Sequence, residues 1–194
     1  NGSTYTVNRV VDEEISITTE NDTSGIYDMI KDFFKDYNEV MNSMLGAYNA
    51  ASAKGYEPLT DEQKEVMTEQ QIEDWETKIK DSLLRKDSTL SSVMTAMRSA
   101  LTEGMEIDGK TYYLSDFGVS TGNYFEVDAN EKYAIHIDGD ADDSYSAGKT
   151  DKLKAAIASD PELVTKFFTK LSANLYDSLT EKMGSSDYSS MYKV

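Results

Sequence analysis

The longest regular alternation of apolar and polar positions runs from about Ser24 to Ala50. Apolar residues fall at Ile26, Ile30, Phe33, Tyr37, Val40 and Met44, alternately four and three residues apart. This spacing lays one stripe along one side of a helix and repeats every seven residues. Met29, Met41 and Leu45 widen the stripe, which suits the core of a bundle better than a narrow two-stranded seam. Asp28, Lys31, Asp32, Lys35, Asp36 and Glu39 mark the outer face.

Gly55 and Pro58 end that pattern. Thr60-x-x-Gln63 and Thr68-x-x-Gln71 then fit the capping box, in which Thr accepts from an orphan amide and Gln reaches back. They predict a short helix near 61–67 and a longer one near 69–85. The longer one would bury Ile72, Trp75, Ile79 and Leu83, with Trp75 anchoring the bundle core and Lys78 and Lys80 facing Asp74 and Glu76. A further helix, capped by Asp87 or Ser88, extends to Thr102 with Leu90, Val93, Met94, Met97 and Leu101 inside. Gly104 is placed to close it in a left-handed conformation.

Composition shifts over 105–148, where glycines alternate with aromatics. Asp108-Gly109 is a hairpin turn pair, so Met105–Ile107 and Thr111–Leu114 are expected to pair across it. Tyr133–Ile137 is a third strand candidate. Helices resume at Thr150–Ser159 and after Asp160-Pro161, where a cap precedes Pro at the first helical position. The last helix reaches about Met183 with Val164, Phe167, Phe168, Leu171, Leu175 and Leu179 inside. The fold class is mainly α (α+β): a helical bundle with a small β-hairpin or short-sheet appendage. It divides into an extended segment or short strands over 1–21, through Tyr5, Val7, Val11, Ile15 and Ile17, and a first bundle part over 22–104. The β-rich appendage over 105–148 follows, then helices and a polar tail over 149–194.

Charge narrows the function classes. The 194 residues carry 36 acidic and 19 basic side chains, a formal net charge of −17. Such a chain repels phosphate backbones and anionic membranes unless a basic patch is concentrated, and Lys78–Lys86 is interleaved with Asp81. Neither nucleic acid nor membrane insertion is therefore expected. Thirteen Tyr suit surfaces that are both buried and wet, whether interfaces or half-buried helix faces. Cysteine is absent, which removes disulfides, thiolate metal sites and Cys nucleophiles but leaves export open. A start at Asn1 rather than Met is what a fragment or processed product would show.

Candidate chemistry is sparse. His136 is the single histidine, and one His without Cys makes no zinc set; it reads as a half-exposed strand residue. Asp138, Asp140 and Asp142 invite a calcium reading. The loop template fails where its central glycine falls on Asp143 and its terminal glutamate on Lys149. An acidic turn is the plainer reading, with no specific calcium site expected over Asp138–Asp143. Neither a nucleophile elbow nor a phosphate loop occurs. No residue is singled out as catalytic, cofactor-binding or metal-binding, no cofactor is expected, and the chain is read as non-enzymatic.

Several blocks carry a family resemblance. Ile30-Lys31-Asp32-Phe33 with Asp36-Tyr37-Asn38-Glu39 resembles the I-x-x-F-x-x-x-Y-N helix of the bacterial flagellar filament cap protein family, flagellar hook-associated protein 2. Tyr56-Glu57-Pro58-Leu59-Thr60-Asp61-Glu62-Gln63-Lys64 is similar to its Y-x-P-L-T-x-E-Q-K block, and Trp75-Glu76 with Lys80-Asp81-Ser82-Leu83-Leu84-Arg85-Lys86-Asp87 to its W-E…L-L-R-x-D block. Asp116-Phe117-Gly118-Val119 with Thr121-Gly122, and Asp160-Pro161-Glu162 with Phe167-Phe168, fit two later blocks. Together they span about 24–194 and look most like the Gram-positive forms. The family's G-V-T-L strand segment is missing from Asp12–Thr19, and no stretch matches its terminal coiled-coil helices, so a fragment without them is expected.

The resemblance implies a secreted, extracellular protein at the distal tip of the flagellar filament. It would retain exported flagellin and promote its polymerisation. Partners would be flagellin and further copies in a homo-oligomeric ring, a pentamer in the usual form, while the isolated chain is expected to be monomeric or weakly associated. Mucin or another host surface is a further implied partner. The alternative function is an extracellular helical adhesin or surface structural protein.

Overall fold

The computed structural model describes residues 24–129 and 131–184. The expected strands over 1–21 and the tail beyond Gly184 lie outside them. Element order is α1 (Ser24–Tyr48), α2 (Asp61–Glu65), α3 (Glu69–Asp81), α4 (Ser88–Thr102), β1 (Met105–Ile107), β2 (Lys110–Tyr112), a 3-10 turn (Leu114–Phe117), β3 (Val119–Thr121), β4 (Ile135–Ile137), α5 (Lys152–Ser159) and α6 (Pro161–Gly184). The mainly helical body with small β elements is the fold class the patterning predicts.

Helices α1, α4 and α6 form the body. All five residues expected inside α4, together with Ala100, are buried. Asn174 on α6 ties the pair by donating to the Ala100 carbonyl and the Glu103 carboxylate at 3.1 and 2.9 Å. On α1 the buried face is Tyr27, Ile30, Phe34, Tyr37, Met41 and Leu45. This face is turned by roughly 60° from the expected stripe, at about 100° per residue. Ile30 and Tyr37 belong to both; Val40 and Met29 are exposed instead, and Ile26, Phe33 and Met44 are half-buried. The helix is apolar around more of its circumference than the body can cover, so patterning alone left the facing edge open.

Aromatic rings lock the body together. Phe117 of the 3-10 turn lies 4.7 Å from Phe167 and 5.9 Å from Phe168, and Phe34 on α1 lies 6.0 Å from Phe168 in an edge contact. Offset and edge geometries of this kind add to the area such rings bury. Both ends of the resembling D-F-G and P…F-F blocks therefore meet in one core.

The β elements pack on this core as two separate antiparallel pairs. β1 pairs with β2 across Asp108-Gly109, whose φ values of +51° and +79° give the left-handed two-residue turn that the dipeptide favours. β3 pairs with β4, with Val119 opposite Ile137 and Thr121 opposite Ile135. Gly104 departs from its expected role. It has no positive φ, and Glu103 follows α4 in an extended conformation. A Cβ at Gly104 would instead lie 2.5 Å from Thr111 Cγ2 and 2.8 Å from the Tyr113 ring, so close approach requires the glycine.

Both capping boxes form: Gln63 N donates to Thr60 Oγ1 and Thr60 N to Gln63 Oε1, and Thr68 and Gln71 repeat the pattern. The helices they open are shorter than expected, and α3 has no fully buried residue. Trp75 does not anchor the bundle core. It is half-buried, 4.6 Å from the Tyr56 ring, and donates its indole N–H to the Glu57 carbonyl. Leu83 is 71% exposed. Lys78 donates to the Tyr56 hydroxyl rather than to an acid, and Glu76 pairs with Lys64. The 56–86 stretch is thus an arm with a small half-open cluster of its own, in which α3 meets Tyr56 and Glu57 through Trp75 and Lys78.

The cap of α5 is Asp151, one residue past the expected Thr150, with Lys154 N donating to its carboxylate. Asp160 accepts from Leu163 N ahead of α6, as the Asp-Pro pair predicts.

Candidate functional site

The densest polar construction lies where β4 and the following loop meet α1. Asn38 projects from the flank of α1 beside its core face. Its amide donates to the Ile135 carbonyl at 2.8 Å and accepts from the Ile135 N–H at 2.7 Å. One side chain thereby satisfies both backbone groups of a strand residue that β3 leaves unpaired. This gives the Tyr37-Asn38 pair a physical reading. Tyr37 is core, its hydroxyl pushed up to about 12 by burial against the opposing effect of Arg98, and Asn38 is the bracket for β4.

Two turns earlier, Lys31 reaches the loop after β4. Its ammonium lies 2.6 Å from both Asp140 Oδ1 and Asp142 Oδ2. Hydrogen bonds to those two carboxylates raise its pKa, the one to Asp140 first. Lys149 pairs with Asp138 at 3.4 Å. The three aspartates that invited a calcium reading are therefore each paired with a lysine of the chain, and the Lys31 ammonium bridges two of them. Among the described residues no group of three or more His, Asp or Glu is placed to hold a metal ion.

His136 is not half-exposed: all three β4 residues are buried, and His136 retains 8% of its exposure. The reason is the loop. His136 Nδ1 lies 2.6 Å from Asp143 Oδ2, and the Tyr145 ring packs against the imidazole at 4.7 Å in a tilted geometry. The Tyr145 hydroxyl accepts from Asn123 N, which ties down the loop on the other side. Burial pushes the Asp143 carboxyl up, but hydrogen bonds from Ser146, His136 and the Tyr145 N–H outweigh it and hold its pKa below the ordinary carboxylate value. Asp, His and Ser meet here, yet in the wrong order for a nucleophile. Ser146 Oγ donates to the same Asp143 oxygen, at 2.7 Å, and is fully buried. A serine that hydrogen-bonds to the acid rather than to the imidazole has no base to activate it. The cluster works as a fastener.

Sequence reasoning found the aspartates and His136 but not that Lys31 and Asp143 gather them. No local signal could have shown this, since Lys31 lies 109 residues from Asp140. What the molecule offers outward is surface. Met29 borders an apolar hollow between α1 and α6, Val40 is exposed further along α1, Phe125 is 92% exposed in the loop between β3 and β4, and Val66, Leu83 and Leu84 are exposed on the arm.

The family model described as "Flagellar hook-associated protein 2 C-terminus" matches residues 1–190. Flagellar hook-associated protein 2 of Halalkalibacterium halodurans is 25% identical over 169 residues, covering 84% of this chain and 28% of that protein. The protein of the same name from Thermotoga maritima is 28% identical over 168 residues, covering 87% of this chain and 24% of its own length. The chain thus spans about a quarter of the relatives it matches. No solved structure matches. With the match running through the α1, α4 and α6 core, the chain belongs to the flagellar hook-associated protein 2 family and corresponds to its C-terminal part.

Proposed function

We propose that the chain is a non-enzymatic structural part of the cap at the distal tip of the bacterial flagellar filament, outside the cell. There it contributes to retaining exported flagellin and promoting its polymerisation, within a homo-oligomeric ring of the longer protein. The observation that carries this reading is the family match over residues 1–190. The architecture supports it: a core of interlocked Phe rings and a fastened polar loop make a firm body, while apolar side chains are left on the arm and on the loop tip for contact.

The test is genetic. Deleting the segment for residues 24–184 in the source cells should release monomeric flagellin into the medium and shorten filaments, and restoring it should reverse both. Filaments of normal length with no extra flagellin in the medium would refute the reading.

A further inference from the structure

A cavity of about 490 Å³ opens between α4, the 3-10 turn and β3, a size within the range of about 300–1,000 Å³ usual for small-ligand sites. Its apolar lining comes from the buried side chains of Leu101, Leu114, Val119 and Ile135. Tyr37 of α1 lines it as well.

Two polar groups of this cavity have nothing to bind. Arg98 lies over the Tyr133 ring, 3.9 Å from its centre, and makes no hydrogen bond or ion pair among the described residues. A guanidinium held over a ring spends none of its N–H donors on an oxygen. Among the described lining residues none is acidic, although the chain has 36 acidic side chains. The second group is buried. Tyr37 is 5% exposed, and its hydroxyl has no hydrogen-bond partner among the described residues. Most buried polar groups in folded proteins are paired, so an unpaired one calls for a reason. Core packing does not supply it, because phenylalanine fills the same space. The Arg98 charge is felt at this hydroxyl, which ties the two groups to one cavity.

We propose that this cavity binds a small carboxylate carrying a flat apolar ring, with the carboxylate held by Arg98 and the Tyr37 hydroxyl. Both groups lack an acceptor, and a carboxylate brings two oxygens in one plane, matched to the guanidinium fork. The ring meets the apolar lining and Tyr113, which is 48% exposed, in the offset or edge contacts that aromatic pairs prefer. The hydroxyl is shut off from solvent, but Arg98 and Tyr113 are exposed, and exposed side chains change rotamer within nanoseconds, which opens the way to it. The proposal is independent of the filament-tip reading.

The test uses benzoate as the probe and benzamide as its neutral counterpart, each titrated into the intact chain by calorimetry. Benzoate should bind saturably and at least about tenfold more tightly than benzamide. R98Q, at an exposed position, should bring benzoate down to the benzamide level. Y37F should weaken benzoate about threefold or more while its urea midpoint stays at or above the parent's, which separates lost binding from lost folding. Equal binding of the two probes, no binding of benzoate at millimolar concentration, or benzoate binding that survives both variants would overturn the proposal. A Y37F chain that unfolds more easily than the parent would overturn it too, since the hydroxyl would then have a partner within the fold.

Discussion

Asn38 and Ile135, ninety-seven residues apart, are joined by two hydrogen bonds, each 2.8 Å or shorter. The side-chain amide of α1 stands in for a neighbouring strand and completes the outer edge of β4. Removing it strands one backbone donor and one acceptor in a part-buried setting. Asn38→Ala should therefore cost about 1–3 kcal/mol. Asn38→Asp should cost at least as much, since it replaces the donor with an oxygen facing the Ile135 carbonyl. Urea midpoints of the two variants check this, and a shift corresponding to less than about 0.5 kcal/mol in both would remove the bracket from the stability account.

Its neighbour predicts the opposite sign. Tyr37 is buried in the core, yet its hydroxyl has no hydrogen-bond partner among the described residues. An unpaired buried hydroxyl stays desolvated without return. Tyr37→Phe should leave stability unchanged or raise it by about 1 kcal/mol. A clear loss on the same urea melts would show that the hydroxyl is satisfied.

The arm should melt before the body. Local stability follows buried apolar contact, and α3 has no buried residue while α1, α4 and α6 supply most of the core. On heating or in urea, the Trp75 emission should change at lower stress than far-UV circular dichroism. Trp75→Ala, which would cost about 3–5 kcal/mol at a core site, should shift the circular dichroism midpoint by under about 1 kcal/mol here. Coincident transitions by both probes would place the arm within the cooperative unit.

These contrasts show which parts of the fold are local. Capping boxes, the Asp108-Gly109 turn and the Asp160-Pro161 start each involve residues within a few positions of one another, and all form where the sequence predicts them. The α4 face was legible because its apolar stripe is narrow. On α1 the apolar band is too wide to select an edge, and on α3 a clear stripe exists that the body does not cover. Amphipathicity marks which face avoids water, not which partner covers it. The burial of His136 escaped for a related reason. Strand alternation was the only signal at hand, whereas the loop through Tyr145 and Asp143 seals its second face. A glycine after a helix signals backbone freedom, whereas Gly104 provides space beside Thr111 and Tyr113.

Close approach makes Gly104 sensitive. A methyl group would press on both the Thr111 methyl and the Tyr113 ring. Gly104→Ala should destabilise by about 1–3 kcal/mol through overpacking, despite the better helix propensity of alanine beside α4. A thermal midpoint equal to or above the parent's would show that the hairpin yields freely.

Acid should loosen the fastener. The folded Asp143 carboxyl titrates below its unfolded value of about 3.9, so the stability it adds is fully present above that pH. That contribution is lost as pH falls through the lower, folded value. Asp143→Asn should therefore be less stable than the parent at neutral pH, and the two urea midpoints should converge as pH falls below the ordinary carboxylate value. Parallel curves across the whole range would show that the Asp143 charge does not contribute.

The account rests on placing this chain at the growing end of the filament. Immunogold electron microscopy of the source cells, with antibody raised against residues 24–184, tests that placement most directly. The account predicts one cluster of gold at the distal end of each filament and none along its length. Label spread over the cell surface, or filaments whose tips stay bare while gold lies elsewhere, would contradict it.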